Sequence, residues 1–297
     1  MYFNFTAEYF RPLKIVGIAG IVNVIGDTAL CAWPLRLGCS GAAAATAFAN
    51  LFIVGLMIKN LRSKKLLPKV RLPSKTDISK LLEFTGPLLA ITVTRLVGFI
   101  NMQKTAMKLG VQHMAAYQLT INILMFFLIF GEPLSQLSQT NLPSLIDVND
   151  GQSIKANLKS VLILSSFVSI IIGAAAASCA FFGSHLFTSD LAVQALAKGT
   201  APIMFVTVAC SIFAVSVDGA MLASRDFKFM LGQGTITMLL QFVLLKFWAN
   251  SLSAIFATFA LRLGSYAASV LIRLGLGRGV LGRLMRGKQP ALSPVSG

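Results

Sequence analysis

Long apolar stretches separated by short polar breaks dominate this chain. The longest stretches without a charged side chain are residues 37–58, 109–131, 160–189 and 199–217. A helix needs about 20 apolar residues to cross a bilayer, and each stretch is close to or above that length. The pattern predicts an all-α integral membrane protein with about eight transmembrane helices, at residues 13–35, 37–59, 81–104, 110–144, 158–187, 192–224, 228–249 and 252–273.

One long polar interval interrupts these spans. It carries Pro68, Pro73 and eight basic residues between positions 59 and 80, as expected of a linker between two bundles. We therefore predict two transmembrane helices in residues 1–60, a basic cytoplasmic-side linker over 61–79, six helices in 80–274, and a basic, disordered tail over 275–297. Transporters are often built from two halves with equal helix counts, so the arrangement of two and six indicates that about four helices are missing at the start.

Most lysine and arginine residues of the chain fall on one predicted side of the membrane. The sequence is 56% hydrophobic and only 12% charged, with a net charge of +16. Nineteen of its 26 lysine and arginine residues fall in the termini and in alternate loops, five fall on the opposite side, and two lie within spans. This bias places both termini and the linker on the cytoplasmic or an equivalent face. The basic residues thus indicate topology and contact with membrane lipid, and we expect no nucleic-acid partner.

The sequence contains no motif, in a suitable structural context, that indicates an enzyme or a cofactor site. No P-loop is present, and the four cysteines (Cys31, Cys39, Cys179 and Cys210) lack the spacing of a metal site. We expect no enzymatic activity, no cofactor and no bound metal. An ion gradient is then the default energy source for any transport.

Ionisable residues inside spans are the most informative positions, because each costs free energy there unless it faces the protein interior or water. Asp27 lies four residues after Asn23, so both side chains point to one face of the first span. The carboxylate can accept from the amide and still bind a proton or a cation. The alternative is an aspartate at a helix end that is hydrogen-bonded to its neighbours.

Glu132 precedes Pro133, which cannot donate a hydrogen bond to the carbonyl of Ile129, so we predict a kink there. At 100° per residue, five polar side chains form one stripe along this helix: Gln118, Asn122, Glu132, Gln136 and Gln139. Such a stripe lines a pathway or holds helices together. We favour the pathway.

Three further charged residues lie in spans. Asp218 is a candidate proton carrier or a structural partner of Arg225. Arg95 stands in the middle of a span, where its guanidinium needs an anionic ligand, carbonyl groups or a carboxylate such as that of Asp218 or Glu132. Arg262 lies nearer a predicted helix end and can extend to the interface, so we assign it no role.

Several of these segments resemble one transporter family. Residues 23–27 and 41–46 are similar to the fifth and sixth helices of the multidrug and toxic compound extrusion (MATE) transporters. Gly86-Pro87, the Gly-Glu-Pro-Leu-Ser-Gln string at 131–136 and residues 216–226 resemble the seventh, eighth and tenth helices. The resemblance covers about residues 11–283 and is greatest to the plant chloroplast-envelope branch associated with salicylate-pathway export.

The resemblance implies a fold and an activity. It implies the last two helices of the N-lobe and the complete six-helix C-lobe, with helices one to four missing, and it implies antiport driven by protons or sodium in an envelope membrane. Many drug-extruding members carry a glutamate eight residues after the seventh-helix proline, where this chain has Arg95. A preference for cationic drugs is therefore not carried over.

The functional prediction combines both lines of argument. We predict a secondary antiporter that exports a small organic solute, in particular an organic anion, in exchange for protons or sodium. The coupling candidates are Asn23, Asp27, Glu132 and Asp218, and the substrate-binding candidates are Arg95, Gln118, Asn122, Gln136 and Gln139. The alternative is a membrane fragment or subunit that does not itself transport.

Overall fold

The computed structural model describes residues 3–32, 36–63 and 74–287 of the chain. Within these ranges the chain is helical and forms no strand. Eight segments are long and apolar enough to cross a membrane, which confirms the predicted fold class: Lys14–Cys31, Gly38–Ser63, Lys75–Lys108, Val111–Asp147, Gly151–Phe182, Ala201–Ala223, Phe227–Phe247 and Leu252–Leu284.

The chain divides into two compact units, Met1–Ser74 and Lys75–Gly297. The boundary falls inside the predicted linker, of which residues 64–73 lie outside the described part of the chain. The first unit contains helix α1 (Phe3–Asp27), a π-helical turn (Thr28–Ala32) and helix α2 (Gly38–Ser63).

Small residues allow α1 and α2 to pack closely. Gly41, Ala45 and Ala49 are the buried residues of α2 and repeat every four positions on one face. A Cβ atom at Gly41 would lie 2.7 Å from the carbonyl carbon of Leu30, so only glycine fits there. This spacing fits the small-residue helix contacts that are common in membranes, where the backbones rather than large side chains approach each other.

The second unit contains ten helices in its described residues. They are α3 (Lys75–Lys108), α4 (Val111–Leu128), α5 (Glu132–Asp147), α6 (Gly151–Phe182), α7 (Ser184–Phe187), α8 (Leu191–Gly199), α9 (Ala201–Ala223), α10 (Phe227–Phe247), α11 (Leu252–Gly275) and α12 (Gly279–Leu284).

Helix α9 is the centre of this unit. It packs against α5, α6 and α11, while α10 packs against both α3 and α11. Two clusters of buried apolar residues surround it: one includes Met204, Ile212 and Phe256, and the other includes Met221 and Met230. The cavity described below is lined by members of both clusters.

Proline explains two interruptions of the predicted spans. A 3-10 turn, Ile129–Gly131, separates α4 from α5 just before Pro133, where the sequence predicts a kink. The single span predicted over 192–224 is wrong, because α8 ends at Gly199 and α9 begins anew at Ala201. Pro202 lies in the first turn of α9, where its missing N–H group would have no partner in a helix in any case.

The structure departs from the predicted tail in residues 275–287. Gly277 and Gly279 adopt positive φ angles of 70° and 74°, and the turn that they form leads into α12. Leu281 and Leu284 of α12 are buried against the second apolar cluster. The start of the region predicted as disordered therefore packs onto the helical unit, and residues 288–297 lie outside the described part of the chain.

Candidate functional site

A cavity of ≈ 180 Å³ lies in the second unit, and four charged residues from the middle parts of its spans line it. Residues from α3, α4, α5, α9, α10 and α11 line it. Its polar and charged lining residues are Thr94, Arg95, Glu132, Asp218, Thr237, Arg262 and Tyr266. The remaining lining is apolar, so charges here are screened less than they would be in water.

The carboxylate of Asp218 is the central acceptor of this cavity. One of its oxygens forms an ion pair with Arg95, and the other accepts a hydrogen bond of 2.7 Å from the hydroxyl of Tyr266. The Asp218 side chain is 7% exposed, whereas that of Arg95 is 50% exposed. Of the partners that the sequence left open, the structure thus selects Asp218 for Arg95, and no ion pair joins Asp218 to Arg225 among the described residues.

Close helix packing positions Asp218. Its neighbour Gly219 faces the backbone of α5, where an added Cβ would lie 2.7 Å from the Cα of Ser135. Because two backbones cannot approach this closely around a side chain, glycine is required here. The contact holds α9 against α5, and Asp218 and Glu132 line the same cavity.

Glu132 lies at the first position of α5, beside the predicted kink. It lines the cavity and is exposed, and it forms no ion pair with any described residue. A carboxylate at the first turn of a helix is favoured by the helix dipole. Glu132 is therefore available to a solute, a cation or a proton that enters the cavity.

The structure shows that the sequence-based placement of Arg262 near a helix end is wrong. It lies in the middle of α11 rather than near an end, is only 4% exposed, and lines the same cavity. It donates to Oε1 of Gln241 at 3.0 Å and to the carbonyl oxygen of Thr94 at 3.4 Å. Its position at the centre of a 24-residue apolar helix was the signal that could have identified it.

The polar stripe predicted from Gln118 to Gln139 is divided in the structure. Gln118 and Asn122 line a second, more apolar cavity of ≈ 700 Å³ among α4, α6 and α8, whereas Glu132 lines the first. Gln136 and Gln139 are exposed on α5 and line neither cavity. The 3-10 turn, which advances by about 120° per residue, lies between Asn122 and Glu132 and so rotates α5 relative to a continuous α-helix.

In the first unit, the side chains of Asn23 and Asp27 are hydrogen-bonded to each other. Nδ2 of Asn23 donates to Oδ2 of Asp27 at 3.3 Å. The other side-chain oxygen of each residue is buried and has no hydrogen-bond partner among the described residues. Two buried acceptors without a donor are a suitable environment for a proton or a small cation.

These features define the class of protein. The described residues contain eight candidate spans, one of them interrupted beside a carboxylate, and a cavity with two arginines and two carboxylates. This combination is that of a multi-pass membrane protein with an intramembrane polar site. The family model MatE matches residues 87–247. Because this match covers more than half of the chain, the protein belongs to the MatE family.

Known relatives agree with this assignment. Protein DETOXIFICATION 47, chloroplastic, of Arabidopsis thaliana is 25% identical over 221 residues, which cover 73% of this chain and 40% of that protein. The chain thus spans less than half the length of this curated relative. The fold is that of the Vibrio cholerae MATE transporter VcmN in its bent form (TM-score 0.73, 13% identity, 92% of this chain and 62% of that chain). A MATE structure in complex with MaL6 is similar as well (TM-score 0.72, 10% identity, 92% and 63%).

Proposed function

We propose that this protein acts as a secondary active antiporter that exports a small organic anion in exchange for protons or sodium. The observation that carries the proposal is the cavity in which Arg95 and Arg262 meet Asp218 and Glu132. Two guanidinium groups are permanent cations suited to an anionic solute, and the two carboxylates are groups that can exchange a proton or bind a cation.

The ion pair suggests how solute and carboxylate compete. An incoming anion can replace Asp218 at Arg95, because half of the Arg95 side chain is exposed. In this proposal Asp218 and Glu132 take part in coupling on the second unit, and Asn23 and Asp27 do so on the first. Gln118, Asn122, Gln136 and Gln139 act as further contacts along the path of the solute, outside the cavity.

The cellular membrane is part of the proposal. The Arabidopsis relative is described as chloroplastic, and we propose the chloroplast envelope as the membrane of this protein. A second candidate function is a membrane subunit that does not itself transport.

Transport by the chain in proteoliposomes tests the proposal. We expect uptake of radiolabelled benzenesulfonate, a permanently charged aromatic anion, that depends on an imposed pH or sodium gradient. Glu132→Gln keeps the side-chain volume but cannot exchange a proton, so it should reduce pH-driven uptake without lowering the melting temperature. Glu83→Gln is the matched control, since Glu83 is exposed on α3 and lines neither cavity.

The other outcomes separate the alternatives. Uptake of tetraethylammonium without uptake of benzenesulfonate would make the anion assignment wrong. A folded protein that carries neither solute would support the non-transporting subunit. Unchanged pH-driven uptake by Glu132→Gln would make Glu132 a structural residue.

A further inference from the structure

Three turns of the second unit, all on the predicted cytoplasmic side, lie against one another. A Cβ atom at Gly279, in the turn between α11 and α12, would lie 2.8 Å from Oδ2 of Asp226, in the turn between α9 and α10. A Cβ atom at Gly151, at the start of α6, would overlap the carbonyl oxygen of Leu284 at the end of α12. The turns therefore share one surface, and we call residues 147–159, 224–228 and 273–287 together the basic surface.

The basic surface carries an excess of positive charge that the protein does not neutralise. It contains eight lysines and arginines but only three aspartates. Asp226 is already paired with Arg273 at 2.8 Å, and Asp150 caps α6 through the N–H of Ser153. Seven exposed cations form no ion pair with any described residue: Lys155, Lys159, Arg225, Lys228, Arg278, Arg283 and Arg286. Even if Asp147, which is exposed, offsets one of them, a strongly cationic surface remains.

Exposed apolar side chains on the same turns indicate where this surface lies relative to the bilayer. Val148, between α5 and α6, is 77% exposed, and Leu276, between α11 and α12, is 54% exposed. Apolar side chains of this kind enter the acyl region, while neighbouring lysines and arginines extend to the headgroups. The combination favours a membrane lipid as the anionic partner over an anion dissolved in water.

Arg225 has a backbone conformation that is unusual for an arginine. Its φ angle is 55°, in the turn where the N–H of Asp226 donates to the carbonyl oxygen of Met221 at 3.2 Å. Glycine or asparagine usually occupies this position after a helix, as Asn149 does after α5, with a φ angle of 57°. An arginine here costs conformational energy, and it forms no ion pair with a described residue. Its exposed charge, rather than the turn, therefore accounts for its presence.

We infer that the basic surface binds the phosphate headgroup of an anionic membrane lipid. Arg225 and Lys228 contribute from the turn between α9 and α10. Arg278 contributes from the position before Gly279, whose backbone touches that turn. None of these three residues lines either cavity, so the inference is independent of the proposed transport. A lipid bound here would contact segments from different turns and so stabilise the folded bundle.

Binding of phosphatidylglycerol to the purified full chain in detergent tests the inference, with phosphatidylcholine as the lipid without net charge. Native mass spectrometry measures the affinity for each lipid. We expect the wild type to prefer phosphatidylglycerol. We also expect this lipid to raise the melting temperature more than phosphatidylcholine does, by a margin that shrinks as salt is added, because salt screens exposed charges.

Arg225→Gly is the decisive variant because it removes the charge and relieves the backbone at the same time. In phosphatidylcholine its melting temperature should equal or exceed that of the wild type. Its affinity for phosphatidylglycerol should fall about fivefold, the loss that corresponds to one basic residue near an anionic surface. Asn149→Gly is the matched control, since it makes the same backbone change in the neighbouring turn without a change of charge. It should bind phosphatidylglycerol as the wild type does.

A second variant checks that the effect belongs to the surface rather than to one turn. Arg278→Gln should also weaken phosphatidylglycerol binding about fivefold. Lys108→Gln is its control, since Lys108 is exposed at the end of α3 on the opposite predicted side of the membrane. It should leave the affinity unchanged.

Three results would overturn the inference. The first is unchanged phosphatidylglycerol affinity in both Arg225→Gly and Arg278→Gln. The second is a lower melting temperature of Arg225→Gly in phosphatidylcholine, which would make Arg225 a structural residue of its turn. The third is an equal rise in melting temperature with inorganic phosphate, which would make the surface a site for soluble anions instead of lipid.

Discussion

At the residue scale, the two members of the Arg95–Asp218 pair stand in different environments. Asp218 is buried and accepts from both Arg95 and Tyr266, whereas half of the Arg95 side chain is exposed. Removal of the arginine therefore leaves a buried carboxylate with a single donor. Removal of the carboxylate leaves a cation whose side chain the protein encloses only by half.

We predict that Arg95→Ala destabilises the protein by about 1–2 kcal/mol. This is less than the loss of a fully buried ion pair costs, because the protein encloses only half of the Arg95 side chain. Asp218→Asn should cost less, since an asparagine oxygen can still accept from Tyr266. Thermal unfolding in detergent measures both variants, with Lys104→Ala on the exposed face of the same helix as the control.

The order of the two losses is the informative result. If Asp218→Asn lowered the melting temperature more than Arg95→Ala does, the carboxylate would hold the bundle together through contacts other than Arg95. If neither variant changed it, the ion pair would contribute nothing measurable to stability.

At the element scale, the contact between α9 and α5 decides where the cavity forms. Gly219 is the point of closest approach, and its place against the backbone of Ser135 leaves no room for a side chain. The neighbouring hydroxyl of Ser135 accepts a hydrogen bond of 3.0 Å from Gln139. The two helices therefore meet along small and polar residues, as is common in membrane bundles.

We predict that Gly219→Ala destabilises the protein by about 1–3 kcal/mol, the usual cost of overpacking, because backbone rather than a flexible side chain must move. Displacement of α9 should also weaken binding of benzenesulfonate, since α9 contributes Ala214, Val215 and Asp218 to the lining of the cavity. Gly232→Ala is the control. No atom lies within 4 Å of a Cβ at that position of α10, so the better helix propensity of alanine should leave the melting temperature unchanged or raise it. A stable Gly219→Ala protein with normal binding would contradict this account of the packing.

The start of α6 depends on a cap outside the membrane. Oδ1 of Asp150 accepts a hydrogen bond of 3.1 Å from the backbone N–H of Ser153. Hydrogen bonds with Ser153 hold the pKa of the Asp150 carboxyl below its usual value of 3.8. A depressed pKa means that the cap stabilises the folded state above pH 3.8 and that this contribution disappears as the pH falls further.

We therefore predict that Asp150→Ala lowers the melting temperature at pH 7, and that the difference from the wild type shrinks below pH 3.8. Melting curves of both proteins between pH 3 and pH 7 check this. Asp150→Asn should remain close to the wild type at pH 7, because asparagine is as good an N-cap as aspartate. A gap between alanine variant and wild type that did not change with pH would show that the charge of Asp150 plays no part.

At the scale of the whole molecule, the distribution of basic residues predicts the orientation in the membrane. Nineteen of 26 lysines and arginines fall on one predicted side, and basic loops remain on the cytoplasmic or equivalent face. Reporters inserted near Lys65 and fused after Gly297 should both lie on the same face as the N-terminus. Opposite faces for the two reporters would remove one span from the count and contradict the assignment.

Local features of the sequence were enough to predict that this protein lies in a membrane and that a helix breaks before Pro133, although the break at Gly199 was missed. Apolar runs of the length of a bilayer indicated eight spans, since length and hydropathy are local properties. Pro133 marked the break before α5 in the same way, because a missing N–H group acts within one helical turn. The face shared by Asn23 and Asp27 followed from helical geometry alone.

Only the tertiary structure decided which charges meet. Arg95 and Asp218 lie 123 positions apart, and the sequence offered Arg225 as another partner for Asp218 and Glu132 as another partner for Arg95. Arg262 was assigned to a helix end, and only the packing of α3, α10 and α11 shows that it is buried in the cavity beside Gln241. Periodicity specifies which side chains share a face of one helix. The pairing of faces depends on close contacts such as that at Gly219, where the backbone of α5 excludes a side chain, and that at Gly98, where the Arg262 guanidinium does.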